Sequence, residues 1–300
     1  MRTCKTFASG PIYVDFDIGE SVTIPTSAGL SPEVRLLDIG YQGSVGRPGR
    51  AELGWVTVAV GDARADIPLG WWRSLGGVRV GAEINAVYNT DPERKRWEHD
   101  YWRLEHDARL MLSEAARPLT SPDTHAFPIV SDAWSWGCTH NWLSKYSGSA
   151  GLNPTHYGVD IDCPVGVGTV RAAASGDVVY VGGYKEPDEV GGKGIVVSMV
   201  GDDGLGYLYA HMRELESSIA EGRHLDIRQP IGPNGISGAE NINITPHLHF
   251  EMIWGESRQA LVHMLRPPWF DESFDTMAFR VGPLQYLLEW FERYLAEEDG

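Results

Sequence analysis

The chain is predicted to be mainly β. Antiparallel sheets should build a larger C-terminal domain, a β-rich sandwich-like domain should precede it, and one amphipathic helix should close the chain. Three observations carry that prediction. Short runs rich in β-branched and aromatic residues recur along most of the 300 residues. Glycine is abundant, with 35 residues, and with Pro, Ser and Asp it punctuates those runs where turns are needed. A sustained apolar repeat at helical spacing is clear only near the end of the chain.

Residues 1–88 contain four such runs, at Tyr13–Phe16, Val34–Leu37, Trp55–Val60 and Val78–Val80. Strands at that spacing predict a small sandwich or barrel. No catalytic constellation falls among them, so the segment reads as a structural or binding module. Residues 89–124 read as a charged connector, mixing both signs with Trp97, Tyr101 and Trp102. At its far end Ala108, Leu110 and Leu112 alternate with Arg109, Met111 and Ser113, which favours a strand. Pro118 and Pro122 then mark a boundary, and His99 and His106 read as residues of a solvated face.

Residues 125–300 form the larger domain. A tryptophan-rich segment comes first, with Trp134, Trp136 and Trp142 around Cys138 and His140. Two ligands do not close a metal site, so these side chains are expected to seal a core or line a groove. From residue 156 the strands become dense: Gly168–Ala173, Gly176–Gly182, Gly194–Met199, Gly206–His211 and His247–Ile253. His224 reads as part of a surface loop, and residues 255–280 as less regular. Leu284, Leu287, Leu288, Phe291 and Leu295 then recur at helical spacing, with Glu289, Glu292, Arg293, Glu297 and Glu298 between them.

The formal charge of −16 repels phosphate backbones, so nucleic acid is excluded as a partner. Any contact with an anionic polymer must be local, through a groove. Cys4, Cys138 and Cys163 are too scattered for a disulfide framework, and pairing of Cys138 with Cys163 depends on where the fold places them. No apolar run reaches membrane-spanning length. The first residues show no apolar leader pattern, so either export is not by the usual route or a leader is missing from this sequence.

The chemistry gathers around His247-Leu248-His249. On an extended chain, side chains two apart share a face, so one imidazole can hold a metal while the other works on what the metal holds. Upstream, His156 and Asp160 are four apart, an even separation that again shares a side on extended backbone. With His249 they would supply three ligands, the number a catalytic zinc keeps so that water takes the fourth position. A rival set uses His211 and Glu214, which spell His-x-x-Glu, with His247 or His249 as the further ligand. His-Glu-x-x-His, Gly-x-Ser-x-Gly and Walker motifs are missing from the sequence.

Five pieces in order give a resemblance. His156-Tyr157-Gly158-Val159-Asp160-Ile161, the strand and turn from Val170 to Gly176, Tyr209-Ala210-His211-Met212, the glycine turns at 229–232 and 235–238, and His247-Leu248-His249-Phe250-Glu251 resemble the lysostaphin-like zinc endopeptidases of bacterial cell walls. The likeness covers about residues 154–254. It implies one zinc ion held by His156, Asp160 and His249, with His211 and His247 as catalytic residues beside a bound water. It also implies a peptidoglycan peptide as substrate and an extracellular or envelope location. The chain departs from that family in a long stretch between Gly238 and His247, in an apparent insertion at 255–280, and in a tyrosine for which Tyr146 is the available replacement. An alternative is a binding or regulatory module that keeps the fold, or a latent form in which Asn141 or a carboxylate of the connector fills the fourth metal position.

Overall fold

The computed structural model describes residues 10–42, 53–86, 104–131, 158–184, 194–238, 245–267 and 278–298. They pack as two units, one ending at Thr120 and one starting at Ser121. The tryptophan-rich segment, Tyr146, His156 and the stretch 239–244 lie outside the described residues.

In the first unit, β1 (Ile12–Phe16), β8 (Ala108–Glu114), β7 (Val78–Asn85) and β6 (Trp72–Leu75) form one antiparallel sheet. A second joins β2 (Ser21–Thr23), β3 (Glu33–Gln42), β4 (Leu53–Val60) and β5 (Ala63–Pro68). Alternate residues point inward, as a half-buried strand requires. Val34 and Leu36 of β3, Val56, Val58 and Val60 of β4, Val80 and Ala82 of β7, and Leu110 and Leu112 of β8 share one core. The strand expected at 108–112 is therefore no part of a solvated connector. It lies between β1 and β7, and every one of its seven residues is buried. Arg109 stands opposite Asp15 of β1 and donates to it twice, Nε to Oδ1 at 2.6 Å and Nη2 to Oδ2 at 2.8 Å.

The second unit is built on a seven-stranded antiparallel sheet. Its order is β10 (Val159–Asp162), β17 (His247–Gly255), β14 (Leu205–Met212), β13 (Gly194–Gly201), β12 (Gly176–Tyr184) and β15 (His224–Leu225), and β18 (Ala278–Val281) also pairs with β17. A smaller sheet joins β16 (Pro230–Pro233), β11 (Thr169–Arg171) and β9 (Ile129–Val130). Residues 255–267 and 278–280 are more regular than the sequence suggests. Ser257 caps α1 (Arg258–Met264) by accepting from the Ala260 amide, and β18 follows. His224, expected in a loop, is exposed but on the short β15.

The C-terminal helix α2 (Leu284–Glu298) is present. Its buried stripe is Leu284, Leu287, Trp290 and Tyr294, while Leu295 is 42% exposed. The helix is thus rotated from the Leu/Phe row read in the sequence. Its largest ring, Trp290, faces the sheet, packing edge-on to Phe250 at 6.3 Å and against His125 at 5.5 Å. Cys163 is buried with a free thiol.

The two sides of β17 differ. Leu248, Phe250 and Met252 face one way, and Phe250 meets Tyr207, Tyr209 and Trp290 there. His247, His249, Glu251 and Ile253 face the other. At one end of that second side, Ile253 joins Leu208, Ala210 and the α1 residues Ala260, Leu261 and Met264 in a core cluster. At the other end stand the two histidines.

Candidate metal centre

The register of β10 against β17 sets the site. Asp160 pairs with His249 and Asp162 with His247, so directly opposed side chains share one face of the sheet. Asp160 is 1% exposed. Its Oδ1 lies 3.0 Å from His249 Nδ1 and 3.5 Å from His247 Nε2. Asp160 and His249 thus lie side by side in this geometry. His156 lies outside the described residues.

His211 reaches the same place by a different route. In β14, Ala210 pairs with His249, so strict alternation would turn the next side chain to the opposite face. The ladder between β13 and β14 shifts here: Ile195 pairs with Met212 and Val197 with Tyr209, leaving Val196 opposite two residues. His211 sits in that bulge with φ of 62°, the left-handed region that β-carbons disfavour. The bulge re-aims the imidazole, which packs edge-on to His247 at 4.8 Å and to His249 at 5.9 Å between ring centroids. Glu214, the partner in the rival His-x-x-Glu set, is exposed, whereas the Asp160 carboxylate lies against His247 and His249.

The hydrogen bonds assign the ring protons. His211 Nδ1 donates to the Ser237 carbonyl at 2.8 Å, and His247 Nδ1 to the Thr245 carbonyl at 2.6 Å. A carbonyl only accepts, so both rings carry a proton on Nδ1, and in a neutral ring Nε2 is then the acceptor. His249 meets a carboxylate at each nitrogen. Its Nε2 meets Glu251 Oε1 at 2.8 Å, and its Nδ1 faces Asp160. Burial, reinforced by the neighbouring His247 and His249, pushes the His211 imidazole down to about 3, so that ring is neutral near pH 7.

Close backbone approaches make this possible. A β-carbon on Gly158 would lie 2.5 Å from the Phe250 carbonyl, 3.0 Å from Glu251 Cγ and 3.1 Å from His249 Cε1. Gly194, with φ of +60°, has the Ser237 backbone where a β-carbon would be, and Ser237 Oγ accepts from the Ile195 amide. Gly235 lies equally close to Arg213 and to the His211 carbonyl. The glycine turn read from the sequence at 235–238 is therefore the support of His211. Ser237, Thr245 and Gly194 had no signal of their own, because each acts through its main chain. Glu251 did have one, since it repeats the two-residue spacing of His247 and His249.

Asp160 and His249 are ligand types that zinc takes. They offer a buried carboxylate oxygen and an imidazole nitrogen 3.0 Å apart, and the imidazole is held from behind by a second carboxylate, as zinc-bound histidines usually are. On one face of this mainly β unit, a buried carboxylate and three imidazoles stand together. Residues 154–261 match the family model of peptidase family M23.

Three solved structures place the likeness in numbers. The catalytic domain of the antimicrobial peptidase lysostaphin from Staphylococcus simulans is 23% identical, with a TM-score of 0.36, over 51% of this chain and 92% of that one. Whole lysostaphin from the same organism is 21% identical at TM-score 0.38, over 57% of this chain and 55% of that one, so the chain spans about half of its length. A zinc-containing peptidase from Vibrio cholerae is 15% identical at TM-score 0.35, over 74% and 82% of the two chains. No curated protein sequence matches the chain.

Proposed function

We propose that the second unit is a zinc-dependent endopeptidase that hydrolyses stem or cross-bridge peptides of bacterial peptidoglycan, acting in the cell envelope or outside the cell. The convergence of Asp160, His249, His247 and His211 on one sheet face carries the reading. The match of residues 154–261 to the model of peptidase family M23 and the five ordered sequence pieces support it. Asp160 Oδ1 and His249 Nδ1 would hold the ion, with His156 as the third ligand. Zinc bound there would acidify a water and polarise the scissile carbonyl.

The rest is done by the chain's own imidazoles. His211 and His247 each hold Nδ1 against a main-chain carbonyl, which leaves Nε2 of the neutral ring as the atom to accept a proton from the attacking water. The ring that takes the proton becomes a cation beside the developing oxyanion, which it stabilises. It then delivers the proton to the leaving amine. Main-chain carbonyls fix both rings, so little reorganisation accompanies the transfer.

The test combines metal analysis with wall digestion. Purified protein should carry close to one zinc per chain, and Asp160→Ala or His249→Ala should lose both the metal and the release of peptide fragments from purified peptidoglycan. Mass spectrometry of those fragments identifies the bond cut. Protein that holds no zinc, or a His249→Ala variant that digests walls at the wild-type rate, overturns the reading. A zinc-binding protein inert on every cross-bridge chemistry would instead favour the binding-module alternative.

A further inference from the structure

Glu251 stands where two strands share one edge of β17. β10 begins opposite Phe250 and runs to His247; β18 runs from Gly255 and ends opposite Met252. Glu251 lies in the gap between them, beside the space that Gly158 leaves open, and is fully buried. Its two oxygens point in different directions. Oε1 meets His249 Nε2 at 2.8 Å, and Oε2 accepts from Arg280 Nε at 2.5 Å. Arg280 comes from β18, where it pairs with Ile253, and its side chain is as buried as that of Glu251.

We propose that Arg280 and Glu251 are positioning residues for the metal ligand His249, and that the stretch after β17 returns as β18 in order to place that arginine. The inference rests on the reading of His249 as a zinc ligand. A carboxylate has no proton to give, so Glu251 can only accept. With one oxygen committed to Arg280, the other fixes the His249 proton on Nε2 and turns the Nδ1 lone pair toward Asp160. The guanidinium compensates the buried carboxylate. A buried ion pair is a poor source of stability, and its best-attested use is to fix one arrangement among several. Here the arrangement fixed is the tautomer and ring orientation of a ligand, which elsewhere changes metal affinity 10- to 100-fold, as an order of magnitude.

The substitution Glu251→Gln tests this because it keeps shape and removes one acceptor. Arg280 claims the only amide oxygen. The amide NH2 then faces His249 Nε2 as a donor, forcing the imidazole proton onto Nδ1, where it blocks the metal. Zinc affinity, measured by competition with a chromophoric chelator, should fall about 10- to 100-fold in Glu251→Gln. Adding Arg280→Met removes the competing donor and lets the amide turn its oxygen to His249. The double variant should recover most of the loss, which a merely structural role for the pair would not produce. In the zinc-loaded wild type, 15N NMR should place the His249 proton on Nε2.

Wild-type affinity in Glu251→Gln, an equal loss in the double variant, or a proton on Nδ1 in the wild type would each overturn the proposal. Wild-type protein that takes up no zinc, or takes it up as well after Asp160→Ala, refutes the metal-site reading itself.

Discussion

His211 is the residue at which local strain and chemistry meet. A β-carbon at φ of 62° costs about 1–2 kcal/mol relative to ordinary backbone. Alanine normally outranks glycine inside regular structure, by about 0.5–1 kcal/mol. At this position the order should invert, with His211→Gly more stable to urea than His211→Ala by about 1 kcal/mol. An alanine variant that is equally stable would show that the bulge is not held in the left-handed region. The same side chain predicts a pH dependence in zinc-free protein. In the unfolded chain the imidazole has its ordinary value near 6.5; folded, it is pushed down to about 3. Between those values the unfolded state binds a proton that the folded state refuses. Stability should therefore fall as pH drops from 6.5 toward 3, with a slope from this group of at most about 1.4 kcal/mol per pH unit. Denaturation across that range should show a shallower fall in His211→Gly than in the wild type. At this scale the sequence was most legible where spacing encodes direction. His247 and His249 share a face because they are two apart, and Asp160 meets them through the strand register. Nothing in the sequence marks the bulge at residue 211, because it arises from how β13 and β14 are joined rather than from the histidine itself.

Elements supply the scaffold that holds those residues, and they do so through close approaches. The β13 end at Gly194 presses on the loop whose Ser237 carbonyl orients His211. Gly194→Ala should displace that loop and free the His211 ring. Hydrolysis should drop at least 10-fold by the misplacement argument while zinc content stays at the wild-type level. A fall in zinc content equal to the fall in rate would place the damage at the ligands instead. In the first unit the equivalent anchor is the Asp15–Arg109 pair, which joins β1 to β8 inside the sheet. Asp15→Ala leaves a buried guanidinium without its carboxylate and should cost about 3–5 kcal/mol, read by chemical denaturation. The sequence reading of this scale was uneven for a physical reason. Long runs such as Trp55–Val60 and Gly194–Met199 are legible because their alternation or apolar content persists over many residues. Two-residue strands such as β9 and β15 carry no period at all, and their pairing is set by neighbours. α2 was legible as a helix, but its buried face was not, because Trp290 and Tyr294 compete with Leu288 and Leu295 for the sheet and the larger rings win more burial.

At the scale of the whole molecule the dominant fact is charge. A formal −16 over 300 residues gives a field that discourages approach to a wall rich in anionic polymer. The proposed cleavage site is set among imidazoles and buried carboxylates, so a short uncharged peptide meets little of that field once it is bound. The two substrates should therefore respond differently to salt. The screening length shortens from about 30 Å at 0.01 M to about 8 Å at 0.15 M ionic strength. Digestion of intact walls bearing anionic polymers should rise several-fold over that interval, because the long-range repulsion disappears while contacts within the cleft are unaffected. Hydrolysis of a neutral bridge peptide should change little. Stripping the anionic polymers from the walls beforehand should abolish the salt response and bring the wall substrate into line with the peptide. If wall digestion instead falls with added salt, a positively charged patch is guiding the encounter, and the net charge of the chain is not what governs its approach to substrate.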